Sequence, residues 1–241
     1  MKLYKGEDDI SFAKIFFRNS TVSRMYKGSS LIYETSLLPY FPRSPLNIGV
    51  IGDSTIAAGY GGQLVPSYIP EFTPITSVAT PGDTILGQRQ KFSSLTNHKS
   101  YDVVLMQIGL NDMNVSTQST ATVMANYQSF IDYIRGVVNS RCKIYISQML
   151  PCRQRWFDLY GETNGALSQQ RWIDVNYAIE HTFTGVDGRI TAHVDILKDE
   201  VGNLNAEYDT GDHIHENPAG RQVIATAWKD KLVMDNILLV S

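Results

Sequence analysis

The chain has 241 residues, 43 % apolar and 19 % charged, and its 21 basic and 24 acidic side chains give a formal net charge of −3. That length and balance suit one α/β domain with a small appendage and a sizeable buried core. No dense Lys/Arg cluster occurs, which argues against nucleic acid as a partner. No run of about 18 apolar residues occurs, which argues against membrane insertion.

The N-terminal MKLYKGEDDI lacks the apolar stretch of a secretory signal peptide. The expectation is synthesis in the cytoplasm, with any role outside the cell reached by another route. Residues 10–17 (ISFAKIFF) and 22–33 (VSRMYKGSSLIY) read as short β-rich stretches broken by Asn-Ser and Gly-Ser turns, which suggests hairpins. Pro39, Pro42 and Pro45 then punctuate the chain. A small β-rich N-terminal segment, 1–44, is therefore set apart from a main domain, 45–241.

Beyond Leu46 the pattern alternates between strand and helix. Strands are predicted at 46–51 (LNIGVI), 75–79 (ITSVA), 102–108 (DVVLMQI), 143–150 (KIYISQML) and 190–196 (ITAHVDI). Helices are predicted at 119–138, 167–182 and 217–233, the last with Pro218 in its first turn, where proline is tolerated. The two cysteines, Cys142 and Cys152, flank the fourth strand. The ends of such a strand lie roughly 20 Å apart, too far for a disulfide, so both are expected to be free thiols. Alternating strands and helices imply βαβ units, a parallel sheet and a three-layer, doubly wound α/β domain. In such sheets ligands bind beyond the carboxyl ends of the strands.

Four predicted strands lead to residues that could carry chemistry. Gly52-Asp53-Ser54 follows the first. A serine at a strand-to-helix turn exposes its hydroxyl at the sheet edge, near free backbone N–H groups that can stabilise an anion; it could equally be a plain helix cap. Thr80-Pro81-Gly82 follows the second strand, and Gly82 could bring a backbone N–H close to a ligand or simply form a turn. Gly109-Leu110-Asn111-Asp112 follows the third, where Asn111 could donate to a developing oxyanion or form an Asx-turn. Asp212-His213-Ile214-His215 follows the fifth, with a carboxylate three residues before an imidazole. His213 and His215 also resemble a metal pair, but no further His/Cys cluster accompanies them, and no metal is expected. His98, His181 and His193 read as structural or surface histidines. The glycines do not fit a dinucleotide or phosphate-binding loop.

These blocks, in this order, resemble the SGNH, or GDSL-type, hydrolase superfamily. Gly52-Asp53-Ser54 is similar to its first block, Gly82 to its second-block glycine, Gly109-Leu110-Asn111-Asp112 to its third block, and Asp212-x-x-His215 to its last. Two departures are visible: Ser54 is followed by Thr-Ile, and Glu216 stands directly after His215 where many members have proline. The resemblance implies a flavodoxin-like fold with strand order 2-1-3-4-5 and no metal or organic cofactor. It implies Ser54 as nucleophile, His215 as base and Asp212 as the acid orienting it. It implies an oxyanion hole from the Ser54 and Gly82 N–H groups and the Asn111 amide. Asp53 and Asp112 are then structural.

The N-terminal stretch 22–33 also resembles short β elements of phage tail and baseplate proteins, some of which carry SGNH domains that deacetylate bacterial surface polysaccharide. The leading expectation is a serine esterase that removes O-acetyl groups from a carbohydrate, in a virion tail or a homo-oligomeric assembly. The sequence 152–157 (CRQRWF), at the same edge, offers Trp156 and Phe157 for stacking on sugar or as the start of a packed helix. The alternatives are a lipid esterase or acyl thioesterase in the same fold, and a polysaccharide-binding or structural virion protein without turnover.

Overall fold

The structure is a computed structural model that describes residues 44–239 and four short strands before them. β1 (Lys2–Lys5) pairs antiparallel with β2 (Asp8–Ser11), and β3 (Arg24–Lys27) with β4 (Ser30–Glu34). The second pair lies within the stretch 22–33 read as β-rich from the sequence; the turn expected at Gly28-Ser29 and most of 10–17 lie outside the described residues. By internal contacts the chain separates into two units, Met1–Tyr40 and Phe41–Ser241.

The larger unit is built on a five-stranded parallel sheet: β5 (Leu46–Gly52), β6 (Phe72–Ser77), β7 (Val103–Gln107), β8 (Lys143–Ser147) and β9 (Gly188–Ile190). Their spatial order is β6-β5-β7-β8-β9, the expected 2-1-3-4-5. Continuous apolar runs mark strands covered on both faces, and every residue of β7 is buried. Helices α1 (Ile85–Ser93), α2 (Thr120–Val137), α3 (Arg153–His181), α4 (Ala192–Leu197) and α5 (Pro218–Met234) cover both sides of the sheet. Ser119 caps α2 through Thr122 N, and Asn217 caps α5 through Ala219 N and Gly220 N, with Pro218 in the first turn as predicted. Cys142 and Cys152 are free and buried. Among the described residues no helix is long and apolar enough to cross a membrane.

Two readings are corrected. The predicted strand 190–196 pairs with β8 only as far as Ile190, and the rest becomes α4. Its alternation was the misleading signal: as a helix it buries His193, Val194 and Leu197, while Ile196 faces solvent at 52 %. The helix predicted from 167 begins at Arg153 and turns sharply at Gly161 (φ 70°, ψ −179°). A Cβ at Gly165 would lie 2.9 Å from Phe157 Cα, so the two helical segments cross in close contact. The helix start weighed at Trp156 and Phe157 is thus present, and two glycines separate it from the continuous helical pattern after 167.

His193 is fully buried, with Nε2 on Gln148 O at 3.0 Å. Burial pulls its imidazole down to about 4, against that hydrogen bond. The unfolded chain takes up this proton near 6.5, so stability drains away as pH falls from there towards about 4, by up to about 3 kcal/mol. Between pH 7 and pH 4.5 the protein should therefore lose more stability in urea titrations than His193→Gln, whose amide keeps a donor to Gln148. The buried Asp112, which acts in the opposite sense, cancels in that comparison. Equal losses in the two proteins would contradict the assignment.

Candidate active site

β5 delivers the chain to the carboxyl edge of the sheet at Gly52, where side-chain room is absent: a Cβ would lie 2.8 Å from Ile56 Cβ and 3.1 Å from Gln107 O. The buried Asp53 carboxylate accepts from Thr55 N (3.0 Å) and Thr55 Oγ1 (2.8 Å). Its backbone oxygen accepts from Ile56 N and Ala57 N, which makes a single helical turn. The turn goes no further because Gly59 (φ 135°) and Gly62 (φ 139°) bond to each other and reverse the chain. The expected helix after Ser54 is thus replaced by one turn. Asp53 supplies its cap, which leaves the Ser54 hydroxyl free of that duty.

Ser54 Oγ lies instead 2.7 Å from His215 Nε2. His215 Nδ1 lies 2.5 Å from Asp212 Oδ2, and Asp212 Oδ1 accepts from the backbone N–H groups of His215 (2.8 Å) and Ile214 (3.1 Å). Burial works to raise the Asp212 carboxyl, but the hydrogen bonds from the His215 ring and from these two N–H groups outweigh it and hold it near 2. It is therefore anionic at any working pH and can hold the Nδ1–H tautomer, leaving Nε2 to accept. One turn earlier, Asp209 accepts from Gly211 N (2.8 Å), His213 N (3.1 Å) and His213 Nδ1 (3.0 Å). The loop before His215 is thus wound around two carboxylates, of which the sequence reading found one. Tyr60 was also missed. Its ring stacks on the His215 imidazole, centroids 4.3 Å apart and 6° from parallel, while 64 % of the residue stays exposed.

The other two blocks arrive at the same edge. Thr80 N bonds to Gly52 O at 3.1 Å, which brings the segment carrying Gly82 alongside the Ser54 segment. Gly82 has φ 76°, a conformation suited to glycine. Gln88, fully buried on α1, ties these pieces together: its Oε1 accepts from Gly52 N, and its Nε2 donates to Val78 O and Asp83 Oδ2. Asn111 Nδ2 donates to Asp83 O at 2.8 Å, which fixes the amide and leaves its second hydrogen for another acceptor. Among the described residues the Ser54 and Gly82 N–H groups have no hydrogen-bond partner. Asp112 is structural: it accepts from Ile85 N and Gln118 Nε2 at 3.0 Å each, and burial pushes its carboxyl up to about 6. Burial likewise raises Asp53.

Two buried arginines close the arrangement. Arg171 on α3 donates to Asp112 O (3.0 Å), Asn114 O (2.9 Å) and Gln118 O. Arg221 on α5 donates to Ala57 O (2.7 Å), Gln63 O (2.6 Å) and Ser54 O (3.1 Å), and its Nε stands 3.1 Å from Glu216 Oε1. The last contact is an ion pair by distance without hydrogen-bond alignment. Both of its side chains are fully buried, and burial raises the Glu216 carboxyl against the pull of Arg221. Glu216, the departure noted after His215, is thus the internal counter-charge of Arg221.

The remaining candidates lie elsewhere. Trp156 is 3 % exposed and packs on Trp172, so it belongs to the core rather than to a stacking surface. His98 bonds to Phe92 O, and His181 faces Glu180 on the surface. The rings of His213 and His215 each have a carboxylate partner of their own.

A family model described as the GDSL-like lipase/acylhydrolase family matches residues 50–223, most of the chain. The chain belongs to this family. The family is one of GDSL-like lipases and acylhydrolases, enzymes that act on acyl esters, and it places the chain in the SGNH superfamily. The fold is similar to that of a Bacteroides fragilis protein provisionally described as an acylhydrolase, with 14 % identity over 83 % of this chain and 92 % of that one and a TM-score of 0.59. It is also similar to the esterase EstA of Pseudoalteromonas (15 % identity, 78 % of this chain and 97 % of that one, TM-score 0.53) and to the OSK domain of Drosophila Oskar (13 % identity, 80 % and 91 %, TM-score 0.57). A comparison with curated protein sequences finds no match. A GDSL fold is thus shared by a protein called an esterase and by a domain not so called, so chemistry must be argued from the site.

Gly61 tests how tightly this GDSL site is built. A Cβ there would fall 1.6 Å from Glu216 O and 2.8 Å from Arg221 Nε, whereas at Gly136, on the exposed side of α2, it would meet nothing within 4 Å. Gly61→Ala should lower stability by about 3 kcal/mol or more and depress ester hydrolysis. Gly136→Ala should raise stability by about 0.5–1 kcal/mol and leave hydrolysis unchanged. Thermal melts and hydrolysis rates of both variants check this; a Gly61→Ala protein as stable and active as the parent would contradict it.

Proposed function

We propose that the chain is a serine esterase in which Ser54 is the nucleophile, His215 the general base and acid, and Asp212 the residue that orients it. The observation that carries the proposal is the unbroken contact from Ser54 Oγ through the two nitrogens of His215 to Asp212, at 2.7 and 2.5 Å. In the forward step Oγ bonds to the ester carbonyl carbon and its proton passes to His215 Nε2. The negative charge on the carbonyl oxygen falls to the Ser54 and Gly82 N–H groups and the free hydrogen of the Asn111 amide. His215 then returns the proton to the departing alcohol as the C–O bond breaks. Water, deprotonated by the same imidazole, releases the acid and restores Ser54.

The substrate we propose is an O-acetylated carbohydrate. The supporting feature is Tyr60, a largely exposed aromatic ring lying against His215, where a sugar leaving group would stand. The two N-terminal antiparallel strand pairs support a separate attachment segment of the kind a tail protein carries. Acetate release from an acetylated bacterial polysaccharide is the direct test. The native protein should release acetate, and Ser54→Ala should be slower by about a thousandfold or more. Equal release by the two would remove Ser54 from the chemistry, and a preference for long acyl chains over acetyl in synthetic esters would replace the carbohydrate reading with a lipid one.

The pH dependence follows from the same geometry. Asp212, held near 2, does not titrate in the working range. The fall of kcat/KM on the acid side should therefore be a single-proton step, as protonation of a histidine base would give. A flat profile from about pH 8 down to about pH 5 would contradict a histidine base.

A further inference from the structure

Arg221 touches none of the groups that would meet an ester, yet it is bonded to the peptide that carries the proposed nucleophile. Its NH2 group donates to Ser54 O at 3.1 Å, and NH1 donates to Ala57 O and Gln63 O at 2.7 and 2.6 Å. One guanidinium therefore gathers the start, middle and far end of the loop running from Ser54 to Gln63. The opposite side of the same group faces Glu216, the residue after His215. Gly61, from the same loop, rests against Glu216 O with no space for a Cβ. The loop also carries Tyr60, which lies on His215. Nucleophile loop and histidine loop thus meet on one buried cation.

A simpler reading would make this a stability feature only, since a buried arginine needs several acceptors wherever it lies. Two observations go further. The single turn at Ser54 is too short to hold itself, having two backbone bonds to Asp53 O and no continuing helix. The Ser54 carbonyl belongs to the residue whose N–H and Oγ must both keep their aim, and a small misplacement of such atoms is costly to rate. We infer that Arg221 is a positioning residue for the nucleophile: by binding Ser54 O, Ala57 O and Gln63 O, and by pairing with Glu216 behind His215, it fixes Ser54 against His215 for attack. This rests on the reading of Ser54 as nucleophile.

The test uses steady-state hydrolysis of p-nitrophenyl acetate by the full chain and three variants. Arg221→Lys keeps the positive charge beside Glu216 but replaces the planar fork of donors with a point charge. Arg221→Gln combined with Glu216→Gln removes both charges together, so that neither is left buried alone. Glu216→Gln alone keeps the three carbonyl bonds. Circular dichroism and thermal melts establish folding.

If the native protein hydrolyses the ester and Ser54→Ala does not, the nucleophile reading stands and the variants address Arg221 alone; an inactive native protein would count against the nucleophile reading and leave nothing for Arg221 to position. The expected result is a fall in kcat of about tenfold or more in Arg221→Lys and in the double variant, with KM within about twofold of native. Glu216→Gln should lose less than either. Folded variants with native kcat would overturn the inference, as would equal changes in kcat and KM. It would also be overturned if both Arg221 variants failed to fold while Glu216→Gln stayed folded and fully active, because Arg221 would then serve stability alone.

Discussion

The reactive edge of this fold depends on how its loops satisfy their backbone. Chain leaving the end of a parallel strand loses its ladder partners, yet carbonyls in these loops still point into the protein, where an unpaired polar group costs free energy comparable to a lost hydrogen bond. Arg171 and Arg221 answer that constraint with fork-shaped groups that each gather three carbonyls. They reach in from helices packed on the sheet, so the loops inherit the rigidity of α3 and α5. The side chains on those loops, Ser54 on a single helical turn and Asn111 on a three-residue 3-10 turn, keep their aim without a long element of their own.

The carboxylates divide the work in a complementary way. Asp53 and Asp112 turn inward and hold N–H groups at the starts of turns and helices, and burial raises both. Asp209 and Asp212 instead wind the loop before His215, and Asp212 is held low by the donors it collects. Side chains of one chemical type thus serve as cap, brace and imidazole partner according to their environment.

Much of this was legible in the sequence, for identifiable reasons. Doubly covered strands such as β7 need continuous apolar runs, and long amphipathic helices such as α2 carry capping serines, so most strands and the helices α2 and α5 could be read directly, while the strand order followed only from the family resemblance. Ser54, Gly82, Asn111, Asp212 and His215 could be singled out because each stands in a short local block. The failures share a different cause. Residues 190–196 alternate like a strand, but their fate was decided by what they pack against. The helical pattern from Arg153 was interrupted by Gly161 and Gly165, so its joining to the helix after 167 was not legible, and the turn at Ser54 was cut short by Gly59 and Gly62. Arg171, Arg221, Gln88 and Tyr60 act across distances of 36 to 167 residues in the chain, and nothing local marks them.

The central claim is that Ser54 is made uniquely nucleophilic by this arrangement. Labelling of the native protein with a fluorophosphonate, followed by peptide mass spectrometry, addresses it most directly. One adduct is expected, on the peptide containing Ser54, and none after His215→Ala. An adduct on a different serine, or none on the folded native protein, would contradict the account.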